Sequence, residues 1–157
     1  MSARTLLERQ VVSPDPAATT LLGLDLDKAA RPGDLICLWG DLGAGKTHLA
    51  KAIGAGLGVM DTMVSPSYIL MAEYAGRMPL FHLDLYRLAD TSDAFAGGLI
   101  DDRQSAGLTV VEWPDRMAAA LPEARVDVVI EGSGDTPRMI RVRAGTPELR
   151  RYLEAIS

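Results

Sequence analysis

Apolar residues along this chain form two patterns, repeats at helical spacing and short continuous runs. Asp15-Pro16 is typical of an N-cap followed by proline at the first helical position. After it, apolar side chains recur at helical spacing and predict a helix that ends at Pro32-Gly33. A second helix is predicted from Lys46 to Leu57, where Gly58 closes it. The predicted strands cover residues 5–12, 35–39, 68–74, 80–85, 108–113, 126–131 and 139–142.

The remaining segments connect these elements. Residues 91–105 predict a short helix and a loop, Pro114 starts another helix, and Thr146-Pro147-Glu148 opens the last one. Gly132-Ser133-Gly134-Asp135 predicts a turn between the two final strands. Early strands that alternate with helices, followed by a hairpin-like pair, favour an α/β fold. We therefore predict a single three-layer α/β domain over residues 1–157, with a mainly parallel central sheet.

The composition is that of an ordinary globular protein. Of the 157 residues, 48% are apolar and 24% are charged. No apolar run approaches the ~20 residues that a membrane helix needs. The first residues show no signal-peptide pattern, and the lone Cys37 excludes an internal disulfide. We therefore expect a cytoplasmic protein with no membrane partner.

The formal net charge of −5 disfavours strong nucleic-acid binding by this chain alone, because neutralising phosphates requires clustered lysine and arginine. One basic group lies close together near the end of the chain. A solvated surface is the simpler interpretation of this group, and a docking surface for an acidic partner or nucleic acid is the alternative. Its members are Arg138, Arg141, Arg143, Arg150 and Arg151.

A glycine-rich segment lies between a predicted strand and a predicted helix. Gly40-Asp41-Leu42-Gly43-Ala44-Gly45-Lys46-Thr47 matches the pattern G-x-x-x-x-G-K-[ST] at every fixed position. Glycine lets successive amide groups point inward at phosphates, which also meet the positive end of the following helix. Lys46 would bridge the β- and γ-phosphates, and Thr47 would place its hydroxyl on Mg²⁺. The segment therefore predicts a P-loop that binds ATP with Mg²⁺.

A P-loop also needs an acidic group near the metal, usually at the end of a neighbouring strand. Glu112 ends one apolar run and Asp84 lies near the end of another. Parallel strands would bring both carboxylates to the edge of the sheet where the loop lies. One role is metal coordination and the other is orienting the attacking water, and the residues alone do not divide these roles between Glu112 and Asp84.

Two further features lie near these candidates. Ser65-Pro66-Ser67-Tyr68 either forms a simple proline turn or supplies hydroxyls, such as that of Ser67, that sense the γ-phosphate or the metal. His82 alternates with Asp84, so both side chains point the same way along a strand. We interpret this lone histidine as structural rather than catalytic.

Four segments occur in the order typical of one family. They are the P-loop, Ser65-Pro66-Ser67-Tyr68, His82-Leu83-Asp84-Leu85-Tyr86-Arg87-Leu88 and Val111-Glu112-Trp113-Pro114. The chain resembles the TsaE family, the bacterial P-loop ATPases of tRNA threonylcarbamoyladenosine biosynthesis. The P-loop alone is unspecific, whereas the His82–Leu88 segment combined with Val-Glu-Trp is highly specific. The resemblance extends from the N-terminal helix to Arg138.

This resemblance implies a compact α/β ATPase that is weakly active alone. Such a protein would act with the threonylcarbamoyl-transferring protein and its dimerising partner, which are proteins of the TsaD and TsaB types. It would meet tRNA only through that complex. ATP binding and hydrolysis would reset the complex between rounds of modifying the adenosine next to the anticodon.

The resemblance also implies roles for individual residues. Lys46 would hold phosphates, and Thr47 and Glu112 would hold Mg²⁺. Asp84 would support hydrolysis, and Trp113 would lie beside the site and matter for function. The remaining contacts to the nucleotide would come from Asp15, Thr19 and Arg138.

The chain departs from the family pattern at three places. Ser67 stands where threonine is frequent, which keeps a hydroxyl and loses a methyl group. His48 follows the P-loop where a second threonine is common. Residues 91–95 are poorer in glutamate than is usual in the family, at a place where partner contacts are expected.

Three other functions are compatible with a P-loop. A small-molecule kinase usually carries an arginine-rich lid, whereas only Arg103, Arg116 and Arg125 occur between Arg87 and Arg138. A GTP switch would need the guanine-reading motif Asn-Lys-x-Asp, which the sequence lacks. The third is a nucleotide-dependent binding module without hydrolysis. A Glu112→Ala change separates that module from an ATPase.

Overall fold

The computed structural model describes residues 7–64, 70–87 and 102–157, whose strands form one mixed sheet. The order across this seven-stranded sheet is β1-β7-β6-β2-β5-β4-β3. The strands are β1 (Glu8–Ser13), β2 (Leu35–Trp39), β3 (Met71–Tyr74), β4 (Leu80–Asp84), β5 (Leu108–Glu112), β6 (Val126–Glu131) and β7 (Arg138–Ala144).

Strand directions confirm the predicted α/β fold with a mainly parallel sheet. In the centre, β2 pairs in parallel with β5 and β6, and β4 pairs in parallel with β5. At the edges, β3 is antiparallel to β4, and β7 is antiparallel to both β6 and β1. Because β1 is antiparallel to β7, it runs in the same direction as the central strands. Five of the seven described strands, β1, β2, β4, β5 and β6, therefore share one direction, and the sheet is mainly parallel.

The described helical segments include both α-helices and tighter 3₁₀ turns. As predicted, α1 starts after Asp15, whose carboxylate accepts a hydrogen bond of 2.9 Å from the amide of Ala18. The predicted helix after Pro114 takes the 3₁₀ form, in which the amide of Arg116 donates to the carbonyl of Trp113 (3.2 Å). The α-helices are α1 (Pro16–Ala29), α2 (Lys46–Gly56) and α3 (Arg151–Glu154), and the 3₁₀ segments are Asp102–Ala106, Pro114–Ala120 and Pro147–Arg150.

Two predicted segments are only partly covered. The strand predicted at residues 68–74 is described as β3, with residues 65–69 outside the described residues. Of the helix and loop predicted at residues 91–105, only the 3₁₀ segment Asp102–Ala106 is described. The predicted final helix begins as the 3₁₀ turn Pro147–Arg150 and continues as the single turn of α3.

Apolar side chains cover both faces of the sheet. Helices α1 and α2 lie on one face, where Leu26, Leu49 and Ile53 are fully buried. These helices approach closely because Gly23 has no side chain: a Cβ there would lie 2.5 Å from that of Ala52. The other face buries a separate apolar cluster that includes Val111, and the 3₁₀ segment Pro114–Ala120 covers it through Met117. The sheet therefore has one covering layer on each side, as expected for three layers.

This arrangement positions the candidate site. The P-loop joins the end of β2 to the start of α2, and the parallel neighbours β5 and β4 end beside it. The carboxyl ends of parallel strands are the usual place for a ligand in such folds. Among the described residues, no helix has the length and apolar character needed to cross a bilayer.

Candidate nucleotide-binding site

Two glycines shape the P-loop. Gly43 and Gly45 have φ angles of 82° and 113°, a region that side chains disfavour. A Cβ at either position would meet no atom within 4 Å, so backbone conformation, not space, requires glycine. Gly45 is also the N-cap of α2, so the amides of the first helical turn face the loop. The loop therefore has the backbone form that surrounds phosphate groups.

The side chain of Lys46 folds back over the loop. Its ammonium group donates to the carbonyl oxygen of Gly40 and, at 2.9 Å, to that of Asp41. The same group lies 4.0 Å from the ring centre of Trp113, within reach of a cation–π contact. Burial lowers the pKa of Lys46, and neighbouring carboxylates led by Glu112 oppose that shift. A cation is thus held inside the loop where phosphate would bind.

The two predicted acidic residues lie side by side. Asp84 ends β4, Glu112 ends β5, and the two are paired in the parallel register. Both are buried, at 4% and 2% exposure. The hydroxyl of Thr47 donates to Oε1 of Glu112 at 2.7 Å, and Oδ1 of Asp84 accepts from the amide of Tyr86 at 3.1 Å. The structure therefore brings Thr47, Glu112 and Asp84 to one edge, as the sequence predicted.

His82 belongs to this cluster. Its Nε2 lies 2.6 Å from Oε2 of Glu112, and the residue is fully buried. The interpretation of His82 as a lone structural residue missed this contact. The sequence carried only part of the signal: the two-residue spacing puts His82 on the face of Asp84, whereas the position of β5 directly beside β4 comes from the strand order.

Trp113 borders the same site in a strained conformation. Its φ of 58° lies in the left-handed region, which is uncommon for a large residue. The ring lies 4.8 Å from that of Tyr86 at an angle of 47°. A cavity of about 320 Å³ opens here, lined by Leu42, Gly43, Gly45, Lys46, Thr47, His48, Asp84, Tyr86, Glu112 and Trp113.

A second cavity of about 390 Å³ lies on the other side of the P-loop. Asp15, Thr19 and Arg138, the three residues expected to contact the nucleotide, all line it. Ala44, Gly45 and His48 line it as well, and Gly45 and His48 also line the first cavity. The two cavities therefore adjoin at these residues.

Arg138 holds the P-loop by its backbone. Its guanidinium group donates to the carbonyl oxygens of Ala44 (2.9 Å), Gly43 (3.3 Å) and Gly134 (3.0 Å), and also to that of Thr136. This side chain thus ties the loop to the turn between β6 and β7. The family resemblance implied that Arg138 contacts the nucleotide, and no sequence pattern indicated these carbonyl contacts.

His48 joins α1 to α2 at the junction of the two cavities. Its Nε2 lies 2.9 Å from the hydroxyl of Thr20 and 3.0 Å from the carbonyl oxygen of Pro16. Nearby, the hydroxyls of Thr19 and Ser13 are 2.6 Å apart. Sequence reasoning noted His48 only as a departure from the family pattern, and no short-range signal marks its contact with α1.

The donor set fits Mg²⁺. Thr47 and Glu112 present hydroxyl and carboxylate oxygens, the hard ligands that this ion prefers. Within the described residues, no group of three or more His, Cys, Asp or Glu side chains could hold a metal alone. Ser67, the expected sensor of the γ-phosphate, lies outside the described residues.

Known proteins are similar to this chain both in sequence and in fold. The family model described as "Threonylcarbamoyl adenosine biosynthesis protein TsaE" matches residues 13–140. A protein of Treponema pallidum named "tRNA threonylcarbamoyladenosine biosynthesis protein TsaE" is 36% identical over 83% of this chain and 97% of its own length. A protein of the same name from Bacillus subtilis is 40% identical over 73% of this chain and 72% of its own length. Another from Haemophilus influenzae is 37% identical over 89% of this chain and 86% of its own length.

A solved structure agrees with these matches. The crystal structure of Bacillus subtilis YdiB superposes with a TM-score of 0.75 at 30% identity, covering 95% of this chain and 93% of that one. The family model spans the P-loop, the strand ends that carry Asp84 and Glu112, and Arg138. With sequence and fold in agreement over most of its length, the chain belongs to the TsaE family of tRNA threonylcarbamoyladenosine biosynthesis proteins.

Proposed function

We propose that this protein binds ATP with Mg²⁺ and hydrolyses it as one component of the machinery that installs the threonylcarbamoyl group on tRNA. The observation that carries the proposal is the contact of 2.7 Å between Thr47, at the start of α2, and Glu112, at the end of β5. It places a hydroxyl and a carboxylate together beside a P-loop lysine, which is the set of groups that P-loop NTPases use.

Binding begins with the phosphates. The inward amides of the loop and the start of α2 would surround them, and Lys46 would exchange its contacts with the carbonyls of Gly40 and Asp41 for the β- and γ-phosphates. Arg138 keeps the loop in place through Gly43 and Ala44. The rest of the nucleotide would occupy the cavity lined by Asp15 and Thr19.

Thr47 and Glu112 would hold Mg²⁺, which supplies positive charge against the phosphate oxygens when bound. Asp84 is paired with Glu112 in the sheet and lines the same cavity as Lys46. We propose that its carboxylate would orient a water molecule and accept its proton during hydrolysis. The ring of Trp113 lies 4.0 Å from the ammonium group of Lys46 and would help to hold that group at the phosphates.

The partners follow from the family. We propose that the protein works with a threonylcarbamoyltransferase subunit and its dimerising partner, which are proteins of the TsaD and TsaB types. The net charge of −5 supports contact with tRNA through that complex rather than directly. Because tRNA is modified where it is made and used, we place this activity in the cytoplasm.

The test is ATP hydrolysis by the purified chain, alone and with the two partner proteins. We expect weak phosphate release from ATP alone, dependence on Mg²⁺, and clear stimulation by the partners. Competition of GTP with ATP for binding, and assays with phosphate-accepting small molecules, separate this function from a GTP switch and a kinase. Failure of the partners to stimulate hydrolysis would contradict the proposal, as would phosphate transfer to a small molecule.

A further inference from the structure

Three side chains from three elements form a continuous chain of contacts at the candidate metal site. Thr47 on α2 donates to Oε1 of Glu112 on β5 at 2.7 Å. The other carboxylate oxygen, Oε2, lies 2.6 Å from Nε2 of His82 on β4. Where the carboxylate of Glu112 accepts in this contact, Nε2 of His82 is the donor. Each oxygen of Glu112 therefore has its own partner on a different element.

A polar side chain can form hydrogen bonds at a half-exposed position, yet His82 is fully buried. Its exposure is 0%, and it lies on the sheet face where Leu80 and Val110 are also buried. Within the part of the chain that the structure describes, its Nδ1 has no hydrogen-bond partner. An apolar side chain would fill the same space without leaving a buried nitrogen unpaired. The contact with Glu112 is thus what this imidazole provides at its position.

The orientation of Glu112 matters because a glutamate side chain has several rotamers. Turning the carboxylate about its last bonds would move Oε1 away from Thr47. A hydrogen bond from a rigid, buried ring to Oε2 opposes that motion, in the way that outer contacts orient the carboxylate ligands of metal sites. His82 sits on a central strand, buried at every residue from Leu80 to Asp84, so its ring is fixed in place.

We propose that His82 is a positioning residue that fixes Oε1 of Glu112 towards Thr47 and thereby sets the affinity of the site for Mg²⁺. This inference rests on the proposed function, because it assumes that Thr47 and Glu112 hold the ion. His82 itself lines neither of the two cavities of the site. It acts through Glu112 alone.

The test uses three substitutions that differ in where they place a donor. His82→Gln can bring an amide nitrogen to the position of Nε2, whereas the shorter side chain of His82→Asn reaches only the position of Nδ1. His82→Leu removes the donor and keeps the bulk. For each, the affinity for a fluorescent ATP analogue is measured with Mg²⁺ and with chelator, and thermal unfolding is measured alongside. Mn²⁺ binding to the nucleotide complex, followed by electron paramagnetic resonance, reads the metal directly.

We expect His82→Asn and His82→Leu to weaken Mn²⁺ binding and the Mg²⁺ enhancement of nucleotide affinity by roughly 10- to 100-fold, with affinity in chelator unchanged. For His82→Gln, both quantities should stay within about threefold of the wild-type values, because the amide nitrogen replaces the donor to Glu112. Wild-type metal dependence in His82→Asn would overturn the inference. The inference would also be overturned if the Gln and Asn variants lost metal binding equally and in proportion to their loss of thermal stability. That result would indicate a purely structural residue.

A measurement on the wild type keeps the inference testable if a variant fails to fold. The chain has two histidines, so ¹⁵N-histidine labelling gives a spectrum with two rings. We expect one Nε2–H signal protected from exchange, and we expect it to shift when Mg²⁺ and nucleotide are added together but not when nucleotide is added with chelator. An unprotected signal, or the same shift without Mg²⁺, would contradict the role of His82. If the wild type shows no Mg²⁺ effect on nucleotide affinity at all, the proposed function itself fails.

Discussion

Oγ1 of Thr47 and Oε1 of Glu112 lie 2.7 Å apart and join the first turn of α2 to the end of β5. The two residues are far apart along the chain, and the parallel pairing of β2 with β5 brings them together. Both oxygens can be ligands of one cation. This contact links the fold to the proposed chemistry.

Thr47→Val should abolish most Mg²⁺-dependent ATP hydrolysis, because valine has the shape of threonine without the hydroxyl. Thr47→Ser is the matched control, since it keeps the hydroxyl and loses a methyl group. We expect a loss of about 100-fold or more for valine and a change within about threefold for serine. Hydrolysis rates at several Mg²⁺ concentrations check this, and equal activity of the two variants would contradict the role of the hydroxyl.

Asp84→Asn should separate binding from hydrolysis. Asparagine keeps an oxygen that can accept from the amide of Tyr86, so the local backbone should not change. It cannot accept a proton, and we expect hydrolysis to fall by roughly 10²- to 10⁴-fold while ATP affinity stays nearly constant. Single-turnover hydrolysis and equilibrium binding are the measurements. The exposed Asp61→Asn is the control, and undiminished hydrolysis in Asp84→Asn would remove Asp84 from the mechanism.

Arg138→Ala should weaken ATP binding more than turnover. Without the guanidinium group, the carbonyls of Gly43 and Ala44 lose their link to the turn between β6 and β7. We expect KM for ATP to rise on the order of tenfold, equivalent to ~1.4 kcal/mol, with kcat within about threefold. Arg141→Ala, which removes an arginine of the same strand that pairs with Glu131, is the control. A selective loss of kcat would show that Arg138 acts on the reaction rather than on the loop.

Lys46 should give the stability of the protein a characteristic pH dependence. Burial lowers its pKa from the usual 10.5. Because the folded-state pKa is then below the unfolded-state pKa, charged Lys46 costs stability at neutral pH, and this cost disappears as pH rises through the folded-state pKa towards 10.5.

The variant Lys46→Met keeps the apolar stem and removes the charge. It should have a higher free energy of unfolding than the wild type at neutral pH, and this advantage should shrink in alkaline solution. Denaturant unfolding of both proteins at a series of pH values measures the difference, with the exposed Lys51→Met as the control. A difference that stays constant with pH would contradict the assigned effect of burial.

Local patterns predicted much of the fold. The apolar run at β2, the cap Asp15-Pro16 and the glycine spacing of the P-loop each specify their structure within a few residues. The 3₁₀ form of Pro114–Ala120 was not predictable in the same way, since an α-helix and a 3₁₀ segment share the same start signal.

The site was predictable in its residue types and only partly in its contacts. Asp84 and Glu112 could be placed together because the ends of parallel strands meet at one edge. The hydrogen-bond contact between His82 and Glu112 depends on the strand order and on side-chain direction. The hydrogen bond from Arg138 to the carbonyl of Gly43 depends on the conformation of the β6–β7 hairpin. Neither kind of information is carried by residues close in the sequence.

Glu112 has the proposed role on which Mg²⁺-dependent hydrolysis of ATP depends most. The most direct measurement compares phosphate release and ATP binding in the wild type, in Glu112→Ala and in Glu154→Ala, an exposed glutamate of α3 that lines neither cavity. We predict that hydrolysis collapses in Glu112→Ala alone, while its ATP binding is affected much less. Hydrolysis that survives in Glu112→Ala at the wild-type rate would contradict the role of Glu112 in this reaction.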